Sequence, residues 1–225
     1  MGHVLENAAM QIPVFLFAIV IHEWGHAWMA KVFGDDTAER QGRLTLNPMA
    51  HIDPMGTVFF PLLLLFIGST VFGWAKPVPV SVRNLKDPRR GLFWVSFAGP
   101  GMNLAAGILS ALVLAVIVHF SSGLDESGGY SITIIKMLKF SVIINFILAF
   151  FNLIPLHPLD GSKMLPRFLN YEWMRKYERF CQHGQMILMG LVLLSFVGLP
   201  VFNILLYPAF FLADYLPRLF LGIIG

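Results

Sequence analysis

Residues 12–33 read IPVFLFAIVIHEWGHAWMAKVF, an apolar run of membrane-spanning length that contains the pattern H-E-x-x-H at 22–26. On a helix, side chains four positions apart lie on one face, so His22 and His26 could both bind one zinc ion, and Glu23 could reach a water on that ion. Ionisable side chains are costly to bury in an apolar helix, and they therefore indicate a functional site. The alternative is a pair of histidines satisfied by hydrogen bonds alone.

The composition indicates a membrane protein. Hydrophobic residues make up 56% of the 225-residue chain and charged residues 13%, with a mean hydropathy of +0.70, whereas soluble domains carry about 25% charged residues. The net charge of +3 is better explained by loop positions that set the orientation in a bilayer than by nucleic-acid binding. We therefore expect the lipid bilayer, and no nucleic acid, as a partner. The single cysteine, Cys181, excludes an internal disulfide and a cysteine-rich metal site.

Six apolar blocks predict an all-α integral membrane protein, a polytopic multi-helix bundle of five to six blocks. They lie at about residues 8–33, 57–72, 92–120, 132–156, 186–199 and 201–221. The second block is short and contains proline and glycine, which indicates a short re-entrant or β-hairpin element after the first helix. Residues 167–179 are charged and aromatic, which is typical of an amphipathic helix lying on a membrane surface.

A second polar motif, NLIPLHPLDG at residues 152–161, follows the fourth block, where Pro155 and Pro158 should end the helix. Irregular backbone at membrane depth is tolerated where it lines a cavity. Asp160 is therefore a candidate third ligand, in a set that leaves the fourth zinc position open for water. The alternative is an Asp160 that only caps the next short helix.

A third motif, AGPGMN at residues 98–103, lies near the start of the third block. Its small residues allow close approach between helices. Asn103 is an amide within an apolar helix, where it could stabilise a developing oxyanion or hold a substrate carbonyl. The alternative is a hydrogen bond between helices.

Together the three motifs resemble those of the site-2 protease family of intramembrane zinc metalloproteases, in which H-E-x-x-H, G-P-x-x-N and N-x-x-P-x-x-P-L-D-G occur in this order. The resemblance covers about residues 12–162, and it is closest to a subgroup with further motifs, here GRLTLNP (42–48), HIDP (51–54) and GWAKPVPV (73–80). It implies one zinc ion per chain, a general base, and an amide that supports the reacting carbonyl. The residues concerned are His22, His26 and Asp160 for zinc, Glu23 for the base and Asn103 for the amide.

The resemblance also implies hydrolysis of a peptide bond within or near a transmembrane segment of a membrane-protein substrate. The alternative is a non-proteolytic membrane zinc-binding or transport protein, but a carrier needs ionisable residues along a path, and those here converge on one point. His157 departs from the family pattern, and it is either an extra ligand, a substrate contact or a loop histidine.

The expected organisation is a single membrane-embedded metalloprotease domain, residues 1–225, without an added peptide-binding or nucleotide-sensing domain. Its core is expected at about 8–165, followed by an amphipathic helix and a helical hairpin at about 166–225. The oligomeric state is left open.

A shared metal ion constrains the topology of this multi-pass protein. His26 and Asp160 meet only if the first and fourth blocks end on the same side, so residues 57–72 must not cross the membrane once. Lys and Arg precede block three and follow block four, whereas residues 121–130 contain neither, and the positive-inside rule therefore predicts an active site toward the cytoplasmic side. The N-terminus is then expected outside and the C-terminus inside.

Two short strands are expected in the second connection, at about 42–48 and 72–80. An exposed edge there could bind an extended substrate by strand addition. His51 and Asp53 are assigned to holding this loop and not to binding zinc.

Overall fold

The computed structural model describes residues 2–66, 73–121 and 129–224, and within these ranges the fold is all-helical. The α-helices in chain order are α1 (Gly2–Val32), α2 (Thr37–Arg40), α3 (Phe60–Phe66), α4 (Pro88–Ser121), α5 (Gly129–Leu153), α6 (Gly161–Met164), α7 (Tyr171–Cys181), α8 (Gly184–Phe196), α9 (Val201–Leu205) and α10 (Tyr207–Ile224). The connections add a π-helical turn at Pro54–Phe59 and 3-10 turns at Pro48–Ala50, Val82–Asn84 and Leu165–Arg167.

Helices α1, α4 and α5 form the centre of the fold, and α4 packs against both of the others. Contacts that advance along α1 from Ala18 to His26 move back along α4 from Asn103 to Val95, so these helices are antiparallel. Helix α5 is also antiparallel to α4. The ends of α1 and α5 and the start of α4 therefore lie at one end of the bundle.

Close packing at this centre depends on small side chains. Gly25 of α1 faces α4, where an added Cβ would lie 2.8 Å from the carbonyl oxygen of Ala98. Nearer the start of α1, Phe15, Ala18 and Ile19 are buried against Ile144 of α5. The absence of a side chain at Gly25 lets the two backbones approach closely.

Four helical segments are long and apolar enough to cross a membrane, judged by length and composition: Ala9–Val32, Pro88–Phe120, Ile132–Leu153 and Tyr207–Ile224. The expected C-terminal helical hairpin stays a prediction, and one of its two members, α8, has 13 residues. Such a helix is about 20 Å long, which is short of the roughly 30 Å hydrocarbon layer. The described residues thus contain four candidate spans in place of the five to six predicted blocks, and α10 packs on α4 and α5.

The connection between α1 and α4 leaves and returns at the same end of the bundle. Gly34 ends α1 with a φ of 100°, a left-handed conformation that favours glycine. The backbone N–H of Lys86 donates to the carbonyl of Phe33 at 3.0 Å. The two ends of this connection therefore lie side by side. That the chain between them does not cross the membrane once stays a prediction.

The apolar segment within this connection begins and ends at neighbouring points. It contains the π-helical turn and α3, and the N–H of Trp74 donates to the carbonyl of Gly56 at 3.0 Å. Residues 67–72, which complete the expected re-entrant element, lie outside the described residues. Re-entry therefore stays a prediction.

The two expected strands are wrong for the described residues, since 42–48 and 73–80 contain no strand; Phe72 lies outside the described residues. Pro77 and Pro79 have no N–H group and cannot take part as donors in a ladder. Residues 73–80, here called the strap, are instead held by separate contacts. The N–H of Lys76 donates to His51 O at 3.0 Å, and Arg43 Nη2 donates to Lys76 O at 2.6 Å.

The loop-holding role predicted for His51 and Asp53 is confirmed. His51 Nε2 donates to the carbonyl of Thr45 at 2.9 Å. Asp53 Oδ1 accepts from the N–H groups of Met55 and Gly56 at 3.0 and 2.7 Å, which caps the π-helical turn. Both side chains are thus engaged in local structure.

Candidate metal centre

Three buried side chains converge at the end of the bundle where α1 and α5 finish. His22 and His26 lie one turn apart on α1, with 3.0 Å between their Nε2 atoms. Oδ2 of Asp160 lies 3.2 Å from Nε2 of His22 and 3.1 Å from Nε2 of His26. Among the described residues, these three form the group of His, Cys, Asp and Glu side chains that could hold a metal ion.

The other ring nitrogens determine where the imidazole protons lie. Nδ1 of His22 is 2.6 Å from Oδ1 of Asn103, and Nδ1 of His26 is 2.7 Å from the carbonyl of Val95. Because both oxygens only accept, each Nδ1 carries the proton and each Nε2 presents a lone pair. Two such nitrogens and a carboxylate oxygen within 3.2 Å repel one another unless a metal ion or a proton lies among them.

The spacing of these donor atoms fits a tetrahedral metal. Ligands about 2.0–2.2 Å from zinc in tetrahedral geometry lie roughly 3.3–3.6 Å from one another. The three donor atoms here are 3.0 to 3.2 Å apart. Two imidazoles and one carboxylate leave a fourth position open, as in catalytic zinc sites.

Asp160 is placed by the broken backbone after α5. It occupies the residue before α6, but its side chain makes no capping hydrogen bond and faces the histidines. Gly161 packs so closely on the end of α5 that an added Cβ would overlap the carbonyl of Leu153. Lys163 Nζ lies 3.4 Å from the second carboxylate oxygen. The geometry thus favours the ligand interpretation of Asp160 over the capping alternative.

Gly99 of α4 faces the two imidazoles directly. A Cβ at this position would lie 2.7 Å from Nε2 of His22 and would overlap Nε2 of His26. Gly99, the first glycine of the A-G-P-G-M-N motif, therefore leaves the space that the donor atoms occupy.

Asn103 is fully buried and holds three partners on two other helices. Its Oδ1 accepts from His22, and its Nδ2 donates to Ala18 O at 2.9 Å and to Asn145 Oδ1 at 2.8 Å. Both hydrogens of the amide are thereby engaged. In this arrangement Asn103 makes the interhelical hydrogen bonds of the alternative interpretation.

Glu23 lies beside the cluster and outside its ligand set. Its side chain is partly buried, and its Oε2 accepts a hydrogen bond of 2.7 Å from the backbone N–H of Val78. The strap therefore passes next to this carboxylate. His157 also lies outside the cluster; it is exposed and packs against Gly184 at the start of α8.

The model of peptidase family M50 matches residues 10–139 and 126–197, which together cover most of the chain. The chain belongs to peptidase family M50. The names of the proteins that this chain is similar to agree with its M50 membership. The chain is 41% identical to the candidate zinc metalloprotease YwhC of Bacillus subtilis (strain 168) over 154 residues, 68% of this chain and 66% of YwhC.

Two further relatives carry the name Rip2 and are likewise named as candidate zinc metalloproteases. Identity is 29% over 182 residues to Rip2 of Mycolicibacterium smegmatis, covering 81% of this chain and 66% of the relative. It is 31% over 166 residues to Rip2 of Mycobacterium tuberculosis (strain H37Rv), covering 74% and 60%. This M50 chain thus matches 60 to 66% of the length of these relatives. No solved structure matches the chain.

Sequence reasoning missed two contributors to this M50 site. Asn145 is an amide within the apolar α5, and the argument applied to Asn103 could have found it. The contribution of Val78 comes from its backbone N–H, which no side-chain pattern reveals.

Proposed function

We propose that this chain is an intramembrane zinc metalloendopeptidase that hydrolyses a peptide bond within or near a transmembrane segment of a membrane-protein substrate. The observation that carries the proposal is the convergence of two unprotonated Nε2 atoms and one carboxylate oxygen beside Glu23. Membership of family M50 and the names of the relatives support it. We further propose that residues 1–225 act as one membrane-embedded domain.

His22, His26 and Asp160 would hold one zinc ion. When bound there, zinc lowers the pKa of a coordinated water and polarises the scissile carbonyl. The side chains present fit this chemistry. Nδ1 of each histidine is held as a donor, which leaves Nε2 to face the ion, and the three ligands are buried.

Glu23 is the proposed general base. It takes a proton from the attacking water as the new C–O bond forms, and it delivers that proton to the amine as the C–N bond breaks. Its Oε2 accepts a hydrogen bond from Val78, and we therefore assign the proton transfer to Oε1. The strap thus orients the base while α1 supplies it.

For Asn103 we propose a positioning role toward His22, since its Oδ1 accepts the Nδ1 proton of that ring. An oxyanion contact, the role expected from the family resemblance, would require the amide to release either Ala18 or Asn145 during the reaction.

We also propose that the metal end faces the cytoplasm. Basic residues are concentrated at this end, and Arg89 of α4 donates to the carbonyls of Pro166, Arg167 and Leu169 beyond α6. Positive charge on one side of the spans is the feature that sets orientation in a bilayer. The backbone hydrogen bond between Lys86 and Phe33 supports the view that both ends of the connection after α1 lie on the same side of the membrane.

Labelling of single cysteines with an impermeant reagent tests this orientation. In a Cys181→Ser background, Asp36→Cys and Lys86→Cys should both react from the cytoplasmic side. Gly123→Cys, outside the described residues, should react from the opposite side. Labelling of Asp36→Cys and Lys86→Cys from the outer side would reverse the orientation, and labelling from different sides would contradict a shared metal site.

Replacement of the base tests the activity. Glu23→Gln keeps the shape of the side chain and should retain about one zinc per chain, while cleavage of a single-span protein by detergent-purified enzyme falls by about 100- to 10,000-fold. A chelator should abolish wild-type cleavage and added zinc should restore it.

The matched control is Glu39→Gln, because Glu39 is an exposed carboxylate whose partner is Lys31 at 2.6 Å. It should cleave at the wild-type rate. Wild-type turnover by Glu23→Gln would show that the chemistry lies elsewhere in the protein.

A further inference from the structure

A line of polar side chains runs from the candidate metal centre into the middle of the bundle. Asn103 Nδ2 donates to Asn145 Oδ1 at 2.8 Å, and Asn145 Nδ2 donates to the carbonyl of Ser141 at 2.9 Å and to its Oγ at 3.3 Å. The hydroxyls of Ser141 and Ser110 lie 2.9 Å apart. This line connects a metal-facing histidine with residues that the proposed reaction does not use.

Backbone carbonyls fix the direction of the hydrogen bonds that join Asn145, Asn103 and His22. The carbonyl of Ser141 only accepts, so Asn145 must turn Nδ2 toward it and Oδ1 toward Asn103. Asn103 must then present Nδ2 to Asn145, as it also does to the carbonyl of Ala18. Its Oδ1 is left for His22, whose Nδ1 therefore carries the proton.

Burial makes these directions costly to change. Asn103 and Asn145 are 0% and 1% exposed, so a donor left without an acceptor has no water to replace it. If Asn145 is removed, one hydrogen of the Asn103 amide loses its acceptor. The NH₂ group of Asn103 is then held by Ala18 alone. We expect the hydrogen bond between Asn103 Oδ1 and the His22 ring to become looser as a result.

We propose that Asn145 is a positioning residue for the metal site, which acts through Asn103 to hold His22 in the tautomer and orientation that present Nε2 to the ion. This inference rests on the proposed zinc site and names a residue of that site outside its three motifs. Hydrogen bonds behind a ligating histidine typically change metal affinity by about 10- to 100-fold.

The test measures metal binding without cleavage. Asn145→Leu, of similar volume, is compared with wild type for zinc affinity by competition with a chromophoric chelator, and for the visible spectrum of the cobalt(II)-substituted protein. We expect zinc affinity to fall by about 10- to 100-fold and the cobalt spectrum to shift. Asn145→Ala, which adds no bulk, provides the same comparison if the leucine variant does not fold.

A double-mutant cycle with Asn103→Leu separates positioning from general helix packing. If Asn145 acts through Asn103, the double variant should bind zinc no more weakly than Asn103→Leu alone. Ser141→Ala keeps the backbone carbonyl that orients Asn145, and it serves as the control with near wild-type affinity. Thermal unfolding of the metal-free protein is measured for each variant.

Two results would overturn the inference. One is unchanged zinc affinity and an unchanged cobalt spectrum in the folded Asn145 variant. The other is an additive loss in the cycle, matched by an equal loss of metal-free stability, which would mean that Asn145 only holds helices together. A wild-type protein that binds no zinc would instead refute the proposed function itself, so the two failures are distinguishable.

Discussion

The helical core and the strap hold neighbouring parts of one site by opposite means. In the core, side chains of α1, α4 and α5 bond to one another, while most of the backbone is satisfied within the helices. In the strap, the backbone makes the contacts: the N–H groups of Trp74, Lys76 and Val78 each donate to a different partner. The metal-facing groups therefore depend on side-chain identity, and the position of Glu23 depends on a main-chain path.

This contrast predicts different sensitivities to substitution. A change of side chain in the core should alter the metal site directly. A change in the strap should matter only where it removes an N–H group. Outside the strap, we expect effects at the side chains that hold it or the residue after it, such as Arg43, which donates to Lys76, and Asp35, which accepts from Ser81. Three substitutions test this distinction, and they are given in order of decreasing expected effect.

Gly99→Ala should have the largest effect. The added methyl group would occupy the space between α4 and the imidazoles of His22 and His26. Zinc affinity should fall by about 100-fold or more, because either the rings or the helix must shift. Equilibrium competition with a chelator measures this loss.

Gly101→Ala is the matched control on the same helix. The nearest atoms to its Cβ would be those of the Phe97 ring, at 3.4 Å or more, which is an ordinary contact distance. Since alanine favours a helix over glycine, this variant should bind zinc as the wild type does. Equal losses at Gly99 and Gly101 would mean that the core tolerates neither change and that closeness to the metal is not the cause.

Asp35→Asn should destabilise the segment that directly follows the strap. The buried carboxylate accepts from Thr37, from the N–H of Ser81 at 2.6 Å and from Asn84 at 3.1 Å. An amide would turn one NH₂ group toward these donors, and the free energy of unfolding should fall by about 1–3 kcal/mol. Denaturant unfolding in detergent at neutral pH measures the difference, with Asp36→Asn as an exposed control.

The pH dependence of this difference follows from the pKa of Asp35. Burial raises that pKa, but the hydrogen bonds from Thr37, Ser81 and Asn84 outweigh burial and hold it below its ordinary value. A carboxyl group with a lowered pKa stabilises the folded protein above its unfolded pKa of about 3.9, and this contribution is lost as the pH falls through the folded value. The gap between wild type and Asp35→Asn should therefore stay constant near neutrality and narrow below about pH 4.

Val78→Pro should have the smallest effect and the most specific one. It removes only the N–H that donates to Glu23, between two existing prolines. We expect cleavage to slow about tenfold with zinc content unchanged, because the base loses its orienting bond. Val78→Ala keeps the N–H and should cleave at the wild-type rate; a similar loss in both variants would assign the effect to the valine side chain.

The sequence predicted the core better than the strap for a physical reason. Helical periodicity put His22 and His26 on one face, and the need to share an ion required α1 and α5 to end together, as the structure has them. These inferences use local geometry and the cost of burying charge. The sequence also indicated correctly that His51 and Asp53 belong to loop structure.

The misses concern features that no local pattern carries. The apolar and polar alternation at 42–48 indicated strands, but strands need partners, and the prolines of the strap remove the donors that a partner would use. Hydropathy identified the apolar run at 186–199 without showing that α8 stops after 13 residues. The Asn145 contact depends on how α4 and α5 are rotated against each other, which one chain's periodicity does not determine.

The hydrogen bonds of Asn103 also bear on how the chain assembles after insertion into a bilayer. A lone α4 would leave this amide among lipid tails, which offer neither donors nor acceptors. Helix α1 provides the carbonyl of Ala18 and the ring of His22, and α5 provides Asn145. All the hydrogen bonds of the Asn103 amide are therefore formed only when the three helices are packed together. Lateral association of the helices and construction of the metal-binding pocket are therefore one event. A chain whose α5 fails to join the others should consequently be deficient in metal binding from the start, and it would not mature as a correctly built enzyme that is merely unstable.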